Sequence, residues 1–445
     1  MSLRLIRTGL GIVVIYTAYS TYVQLRTSYE ISERARRKLF ESDLKATPDC
    51  WPSRQFGSMI VGGRFANPFA HYRAQTVFEF VYCRILELFH AKPRGGIPSD
   101  PTVIASLLPT REPDFDLLFH PNKSYPASND DDKNNTNNDQ GAIKFDPLPS
   151  VKDRLTLTWL GQSCAFVQMA GTNILTDPCL GEHLVSKYVG PKRISPAPCD
   201  IEDLPAINTV LVSHDHPDHL ELETAEKIGN QASWVVPMGV GKHLKARGIT
   251  NFTEMDWWEK IPMPNTDPAE GWEIACTPAM HWSGRKMIDS NTTLWCSFLV
   301  LRNGRPVFYH AGDTGYSPDL FTSIRKVFGS GLQVAMLPCG AYTPRWHLRP
   351  QHIDPAEAMQ VMKELEARKM VGVHWGTFVL SDEYFLEPRD RLHELAKRAN
   401  LEKDVIAPEF GRTLVFKLDW DTDASQTRPV GRQTAIREGF SLLME

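Results

Sequence analysis

Short apolar runs separated by turn residues begin near Val151 and continue almost to the end of the chain. Runs of four to eight apolar residues that stop at glycine, proline or asparagine are typical of buried strands. The strands predicted before residue 260 are Leu155–Trp159, Cys164–Met169, Asn173–Thr176, Ala206–Val212 and Ser233–Pro237. The strands predicted after it are Glu273–Thr277, Thr293–Leu301, Pro306–His310, Val334–Pro338, Val371–His374 and Thr413–Leu418.

Helical patterns lie between these strands. The predicted helices are Glu221–Ile228, Asp319–Phe328, Pro355–Arg368 and Pro388–Arg398. The third has a clear start, because Asp354 precedes Pro355 and Glu357 lies three positions after the cap. Alternating strands and helices predict an α/β domain over 151–420, with broadly duplicated element order before and after residue 260. Residues 421–445 are assigned to a polar C-terminal tail.

An extension over residues 31–150 precedes this domain. Its strongest helix candidate, Gln75–Phe89, is apolar nearly all round. Such a helix either packs on the α/β domain or on a second copy of the chain, or it faces lipid. Residues 127–141 are dominated by Asn and Asp and are predicted to be a disordered insert.

Residues 1–30 are predicted to be a membrane anchor or a targeting segment. They contain three arginines and no acidic residue before Glu30, and the stretch Thr8–Leu25 carries no charge. As a helix, this stretch of about 18 residues would span roughly 27 Å, close to the thickness of a bilayer core. The alternatives are a cleaved signal peptide or presequence and a helix lying on a membrane surface. The acid-poor, arginine-bearing start also resembles a mitochondrial presequence.

Composition narrows the class of protein. The chain has 445 residues, of which 23 % are charged and 42 % hydrophobic, and this is an ordinary globular composition. A net charge of −4 does not favour nucleic acid as a partner. The 8 cysteines are widely spread and form no Cys-x-x-Cys pair, which excludes a zinc ribbon and fits a reducing compartment.

The densest chemical signal is the run His214-x-His216-x-Asp218-His219, directly after a predicted buried strand. In a strand-to-helix turn, the first and third positions can converge on one metal ion, while the following Asp and His can reach a second. Imidazole and carboxylate ligands suit zinc, and also iron or manganese.

Three more ligand-type residues follow later strands. His281 lies just beyond the strand that ends at Thr277, Asp313 follows the strand that ends at His310, and His374 ends the strand that starts at Val371. One carboxylate can bridge two cations, so Asp313 completes a predicted site for two metal ions.

These residues and several aromatic segments resemble the N-acyl-phosphatidylethanolamine-hydrolysing phospholipase D family of the metallo-β-lactamase superfamily. The ligand run is shared by the superfamily, whereas the segments rich in Trp, Tyr and Arg are more specific. Matching segments include Gly63–Pro68, Thr158–Gly161, Leu175–Pro178, Gly190–Arg193, Asp256–Glu259, Pro278–Trp282, Ala311–Tyr316, Gly340–Trp346, Gln351–Pro355, His374–Thr377 and Leu386–Pro388. One departure is Gln162, where the family commonly has histidine after Trp-Leu-Gly.

The resemblance implies an αββα sandwich with two Zn²⁺ per chain. By the same resemblance, the first ion is held by His214, His216 and His281, the second by Asp218, His219 and His374, and Asp313 bridges both. Asp218, Asp313 and His352 are the expected catalytic residues, with His352 binding or protonating the departing group; its alternative role is support for the helix that Asp354 caps. Asp177 is expected to orient a ligand histidine, or to serve only as a turn-forming Asp-Pro.

The implied activity is hydrolysis of N-acyl-phosphatidylethanolamine to N-acylethanolamine and phosphatidic acid by attack of metal hydroxide at phosphorus. A lipid bilayer and a second copy of the chain are the expected partners. The expected location is a mitochondrial membrane, with the cytoplasmic face of the endoplasmic reticulum as the alternative. Alternatives are a lactonase or thioesterase on the same site, or a non-catalytic lipid-binding protein stabilised by zinc. Side chains expected near an apolar entrance are Phe65, Phe69, Trp257, Trp258 and Trp346.

Overall fold

The protein is described from a computed structural model. The structure describes residues 3–43, 55–87, 94–122, 148–185, 187–188, 190–286 and 288–420. The predicted disordered insert (127–141) and the predicted C-terminal tail (421–445) lie outside the described residues.

Most strands fall into two seven-stranded mixed sheets. The first sheet has the order β16-β3-β4-β5-β6-β7-β8. Its strands are β3 (Arg154–Gly161), β4 (Cys164–Met169), β5 (Thr172–Thr176), β6 (Thr209–Leu211), β7 (Ser233–Pro237), β8 (Phe252–Met255) and β16 (Thr413–Lys417). Pairing is antiparallel from β16 to β5 and parallel from β5 to β8.

The second sheet repeats this plan with later parts of the chain, in the order β15-β14-β13-β12-β11-β10-β9. Its strands are β9 (Lys260–Pro262), β10 (Trp272–Thr277), β11 (Ser297–Arg302), β12 (Arg305–His310), β13 (Val334–Pro338), β14 (Lys369–Val373) and β15 (Val405–Ile406). Pairing is antiparallel from β9 to β12 and parallel from β12 to β15. The duplication predicted around residue 260 is therefore the division into two sheets, except that the last strand, β16, returns to the first sheet.

Alternate side chains of the first sheet belong to two different apolar clusters, as the two-residue period of a strand requires. Leu157, Val167 and Val235 lie in the cluster that also contains the strands of the second sheet. Phe166 and Trp234 lie in a cluster on the opposite face. The two sheets thus pack against each other, and each outer face is covered by helices.

The helices are mostly short. They are α1 (Leu3–Asp43), α2 (Val77–Glu87), α3 (Pro101–Leu107), α4 (Phe115–Phe119), α5 (Leu222–Ile228), α6 (Gly241–Lys245), α7 (Leu320–Phe328), α8 (Arg345–Leu348), α9 (Pro355–Glu364) and α10 (Glu387–Arg398). Helices α4, α5 and α6 contribute to the apolar cluster on the outer face of the first sheet, and α7, α9 and α10 pack on the second.

Several predicted elements are shorter than expected, among them strand β6, which covers Thr209–Leu211 instead of Ala206–Val212. Helix α9 ends at Glu364 instead of Arg368, because Glu366 has a φ of 52° in the left-handed region. Strand β11 begins at Ser297 instead of Thr293. The residues before it bond to loops of the first sheet, with the Leu294 N–H donating to Met238 and the Cys296 N–H to Ser213.

The N-terminal helix α1 is attached to the sheets by a small hairpin of β1 (Ile60–Val61) and β2 (Arg64–Phe65). Val23 packs against the apolar cluster of this hairpin. Arg34 donates to the Gly57 carbonyl over 2.7 Å. Helix α1 runs across the predicted boundary at residue 30, and the division of the chain at residues 30 and 150 stays a prediction.

Membrane crossing was expected of residues 8–25. None of the helices in the described ranges combines the length and apolar character needed to span a bilayer. Apolar side chains of α1 nevertheless remain exposed, among them Ile12, Val14 and Ile15. In the same ranges, the cysteines form no disulfide bond.

Candidate metal centre

The loops that follow four strands bring the predicted ligands together. The run from His214 to His219 lies between β6 and α5, and His281 lies beyond β10. Asp313 and His374 follow β12 and β14. All seven predicted ligands are buried, with at most 9 % of any of them exposed.

A first cluster consists of His214, His216 and His281, which are able to hold a metal ion. His214 Nε2 lies 2.8 Å from His216 Nδ1. His281 Nε2 lies 3.3 Å from the same nitrogen. The three nitrogens therefore face one point, as ligands of one ion do.

A second cluster consists of Asp218, His219, Asp313 and His374. His219 Nε2 and His374 Nε2 are 3.3 Å apart. Each lies 3.1 Å from an Asp313 carboxylate oxygen. His281 Nε2 of the first cluster is 3.7 Å from Asp313 Oδ2, so this carboxylate stands between the two clusters.

Three ligand histidines have their Nδ1 atom beside a neighbouring oxygen, while their Nε2 atom faces the site. His219 Nδ1 lies 2.7 Å from Asp177 Oδ2. His281 Nδ1 lies 2.9 Å from the Gln351 carbonyl, and His214 Nδ1 lies 2.9 Å from the Ser213 hydroxyl. A proton on Nδ1 places the lone pair on Nε2, and lone pairs that face each other in a buried site need a cation between them. The donor set therefore fits metal ions.

Asp177 is the centre of a buried hydrogen-bond network behind the second cluster. Its Oδ1 accepts from the Ser213 N–H over 2.7 Å, and its Oδ2 lies 2.9 Å from His310 Nε2 as well as beside His219. Burial by itself would raise the pKa of Asp177, but attraction to His310 and His219 outweighs burial and lowers it to about 2. Asp177 is thus an ionised partner of a candidate ligand, which goes beyond a turn-forming role.

His310 was missed by the sequence prediction. It ends β12 and contacts Asp177, which in turn contacts His219. Its position at the end of a strand was the signal that could have found it, because the same signal identified His374 and Asp313. Ser213, next to the ligand run, was missed as well and contacts both Asp177 and His214.

The charges of the second cluster favour a cation. Burial would lower the pKa of His374, but Asp313 and Asp218 outweigh it and raise the pKa to about 9. The pKa of Asp313 is well below its usual range, because His219 and His374 outweigh its burial. The carboxylates therefore attract positive charge to this point of the structure.

His352 lies in the loop between α8 and α9 and faces the metal centre. Its ring centroid is 5.2 Å from that of His281 and 5.5 Å from that of His374. Its Nδ1 is 3.8 Å from Asp313 Oδ2. The cap of α9 is formed by Asp354 and Glu357, so the His352 ring takes no part in it.

Of the aromatic residues expected near an entrance, Phe69 and Trp257 are buried in the core. Phe65 and Trp258 are half-buried against the same apolar cluster. Trp346 is half-exposed and neighbours His347 in α8.

The comparison with known proteins agrees with this geometry. Residues 172–375 match the profile of the beta-lactamase superfamily domain. The chain is 41 % identical over 435 residues to "N-acyl-phosphatidylethanolamine-hydrolyzing phospholipase D, mitochondrial" of Saccharomyces cerevisiae, covering 92 % of this chain and 87 % of that protein. The chain belongs to the N-acyl-phosphatidylethanolamine-hydrolysing phospholipase D family.

The chain is also similar to a nematode protein and to solved structures. "N-acyl-phosphatidylethanolamine-hydrolyzing phospholipase D 1" of Caenorhabditis elegans is 38 % identical over 251 residues, which cover 54 % of this chain and 69 % of that protein. Among solved structures, Igni18, a metallo hydrolase of Ignicoccus hospitalis, is 23 % identical, with a TM-score of 0.46 over 60 % of this chain and 100 % of its own. As a member of the phospholipase D family, the chain is a metal-dependent hydrolase, and the resemblance noted in the sequence is confirmed.

Proposed function

We propose that this protein hydrolyses N-acyl-phosphatidylethanolamine to N-acylethanolamine and phosphatidic acid with two zinc ions. The observation that carries the proposal is the meeting of seven candidate ligands in two clusters joined by Asp313. The yeast and nematode relatives are named for hydrolysis of this phospholipid. His214, His216 and His281 would hold one ion, while Asp218, His219 and His374 would hold the other.

The reaction requires a nucleophile and positive charge beside an anionic phosphodiester. When bound, two zinc ions activate water near neutral pH and neutralise charge on the phosphoryl oxygens. One bond forms between the water oxygen and phosphorus, and the bond from phosphorus to the ethanolamine oxygen breaks. One water proton is released to solvent and the other ends on the leaving oxygen. Because water attacks phosphorus directly, no covalent enzyme intermediate is needed.

His352 is proposed to bind the phosphoryl or departing oxygen. Burial lowers the pKa of His352 to about 4, so its ring is neutral at physiological pH. Two cations nearby would lower this pKa further. A neutral imidazole donates a hydrogen bond through one N–H, which favours binding over proton delivery for this residue.

The assay uses the full-length protein and a substrate labelled in its N-acyl chain. We expect equal amounts of labelled N-acylethanolamine and of phosphatidic acid, and elemental analysis should find two zinc ions per chain. In water enriched in ¹⁸O, the heavy oxygen should enter phosphatidic acid, because water attacks phosphorus.

Protein stripped by a chelator is the control and should be inactive until zinc is returned. Heavy oxygen in N-acylethanolamine would contradict attack at phosphorus. Hydrolysis of a lactone or thioester without turnover of any phospholipid would support the rival hydrolases, and zinc binding with no turnover at all would support a lipid-binding protein.

Contact with a bilayer is proposed through an apolar face formed by α1, α2 and Trp346. Exposed apolar side chains of these elements are Leu10, Ile12, Val14, Ile15, Tyr19, Phe78, Tyr82, Ile85 and Trp346. Tyr16 of α1 contacts Phe78 of α2 with ring centroids 5.6 Å apart, and Tyr82 lies 6.3 Å from Trp346. The face thus extends from α1 to the helix that precedes His352, and a lipid is the surface that suits both this face and a phospholipid substrate.

Charges placed on this face should weaken membrane binding. Ile12 and Ile15 are 64 % and 71 % exposed, and each buried isoleucine contributes about 1.5–3 kcal/mol. For the double variant Ile12→Asp/Ile15→Asp, we expect binding to phospholipid vesicles to weaken by about 10- to 100-fold in a sedimentation assay. Turnover of detergent-dispersed substrate should be unchanged.

Val327→Asp is the matched control, because Val327 is an exposed aliphatic residue on α7. Its vesicle binding should equal that of the wild type. Equal vesicle binding by the double variant would show that α1 does not carry the contact.

We further propose a mitochondrial membrane as the location of the protein. The yeast relative is named as mitochondrial, and the arginine-bearing start of this chain has no acidic residue before Glu30. In the same proposal, residues 151–420 form the catalytic domain and the preceding residues supply the contact with lipid.

A further inference from the structure

Gln162 has an unusual backbone conformation directly after β3. Its φ is 51°, in the left-handed region that non-glycine residues seldom adopt. Its N–H donates to the Thr377 hydroxyl over 2.7 Å, and its carbonyl accepts from the His374 N–H over 2.9 Å. The Trp159 indole N–H donates to the same carbonyl over 2.9 Å. Three hydrogen bonds from two neighbouring segments therefore fix the direction in which the side chain leaves the backbone.

The fixed side chain ends inside the second cluster. Gln162 is 1 % exposed, and its Nε2 lies 2.8 Å from Asp218 Oδ2 and 2.7 Å from His374 Nε2. Both atoms belong to the group that is able to hold a metal ion. In the described part of the chain, Gln162 supplies the hydrogen bond that Asp218 receives from a side chain outside this cluster.

The position of Asp218 depends on the hydrogen bond from Gln162 more than the positions of His219 and His374 depend on it. His219 is held from behind by Asp177, and the His374 backbone is bonded to Gln162. Asp218 contacts the two histidines of its own cluster at 3.5 and 3.6 Å, and both of these would turn toward a bound ion. A carboxylate oxygen has two lone pairs. Asp218 Oδ2 can therefore accept a hydrogen bond from an amide N–H and bind a metal ion at the same time.

We propose that Gln162 is a positioning residue that holds the Asp218 carboxylate toward the second cluster and thereby sets the affinity of this cluster for its metal ion. The proposal rests on the proposed function, because it assumes that the cluster binds metal. Hydrogen bonds to ligating carboxylates commonly change metal affinity by about 10- to 100-fold. The first cluster has no part in this contact, so the two ions should respond differently.

The test is the zinc affinity of the full-length Gln162→Met variant, measured by competition with a chromophoric chelator. Methionine keeps the size and lacks the N–H. We expect one of the two ions to bind about 10- to 100-fold more weakly and the other to bind as in the wild type. Equal affinity of both ions in variant and wild type would overturn the proposal, as would equal weakening of both.

Two further variants separate positioning from a general effect. Gln162→His keeps an N–H donor and should retain most of the affinity; a loss as large as that of methionine would overturn the proposal. Gln333→Met is the matched control, since Gln333 is a buried glutamine whose side-chain amide donates to the Gly331 and Asp419 carbonyls. This variant should bind both ions as tightly as the wild type does.

Thermal unfolding in excess chelator gives the stability of the metal-free proteins. Wild type and Gln162→Met should unfold within a few degrees of each other, and only the metal-loaded proteins should differ. If the wild type binds no zinc, the proposed function itself is overturned. If wild type and Gln162→Met bind two ions equally tightly, only the proposed role of Gln162 is overturned.

Discussion

Asp313→Asn should reduce the turnover of N-acyl-phosphatidylethanolamine by about 10³-fold or more. Asp313 is 3 % exposed and lies within 3.1–3.7 Å of His219, His374 and His281 from both clusters. An amide is neutral and presents one oxygen, so it cannot bridge two cations with a negative charge. Loss of even one ion removes several kcal/mol of charge stabilisation, and each 1.36 kcal/mol corresponds to a factor of ten in rate.

Elemental analysis of the same preparation should show fewer than two zinc ions per chain. Asp319→Asn is the matched control, because Asp319 is an exposed carboxylate at the start of α7 whose side chain makes no capping bond. It should keep both ions and full activity. An Asp313→Asn protein with wild-type turnover and full zinc would refute the proposed centre.

His352→Phe should lower kcat by about 10²- to 10³-fold while both metal ions stay bound, since a single hydrogen-bond donor aimed at the charge that develops in the transition state contributes about this much. The ring lies 3.8 Å from Asp313 and faces His281 and His374, where a phosphodiester on both clusters would be located. Steady-state kinetics and metal analysis on one preparation separate the two effects.

His347→Phe is the matched control, because His347 is a second buried histidine in the same segment whose ring contacts Trp346. It should retain nearly full turnover. Loss of a metal ion from His352→Phe would contradict the proposed role, since His281, Asp313 and His352 form a third group able to hold metal. That outcome would make His352 a ligand.

The strands that the sequence predicted well are the buried ones. Cys164–Met169, Ser233–Pro237 and Val334–Pro338 were predicted with the bounds that the structure has. They are central strands, apolar on both faces because each sheet is covered on both sides, and this is a strong local signal. Three strands at sheet edges, β8, β9 and β15, were missed. Strands β8 and β9 are short and mostly exposed, so they lack a continuous apolar run.

The candidate ligands could also be selected from the sequence, because each follows a predicted strand. Parallel strands end at one edge of a sheet, so the residues that follow them are brought close together. His310 obeys the same rule, but its partner Asp177 lies 133 positions away and nothing local marks the contact. Gln162 is separated from His374 by 212 positions.

The amino-acid sequence by itself determined the positions of the buried strands, the residues able to bind metal and the family to which they belong. Periodicity and residue chemistry are local properties that need no knowledge of strand order. The tertiary structure decided that Asp313 lies between two clusters, that His310 and Gln162 support them, and that α1 keeps an exposed apolar face beside α2. These features depend on which distant strands pair and on how the two sheets pack. The hydrogen-bond partner of a buried polar group can come from any part of the chain that the fold places beside it.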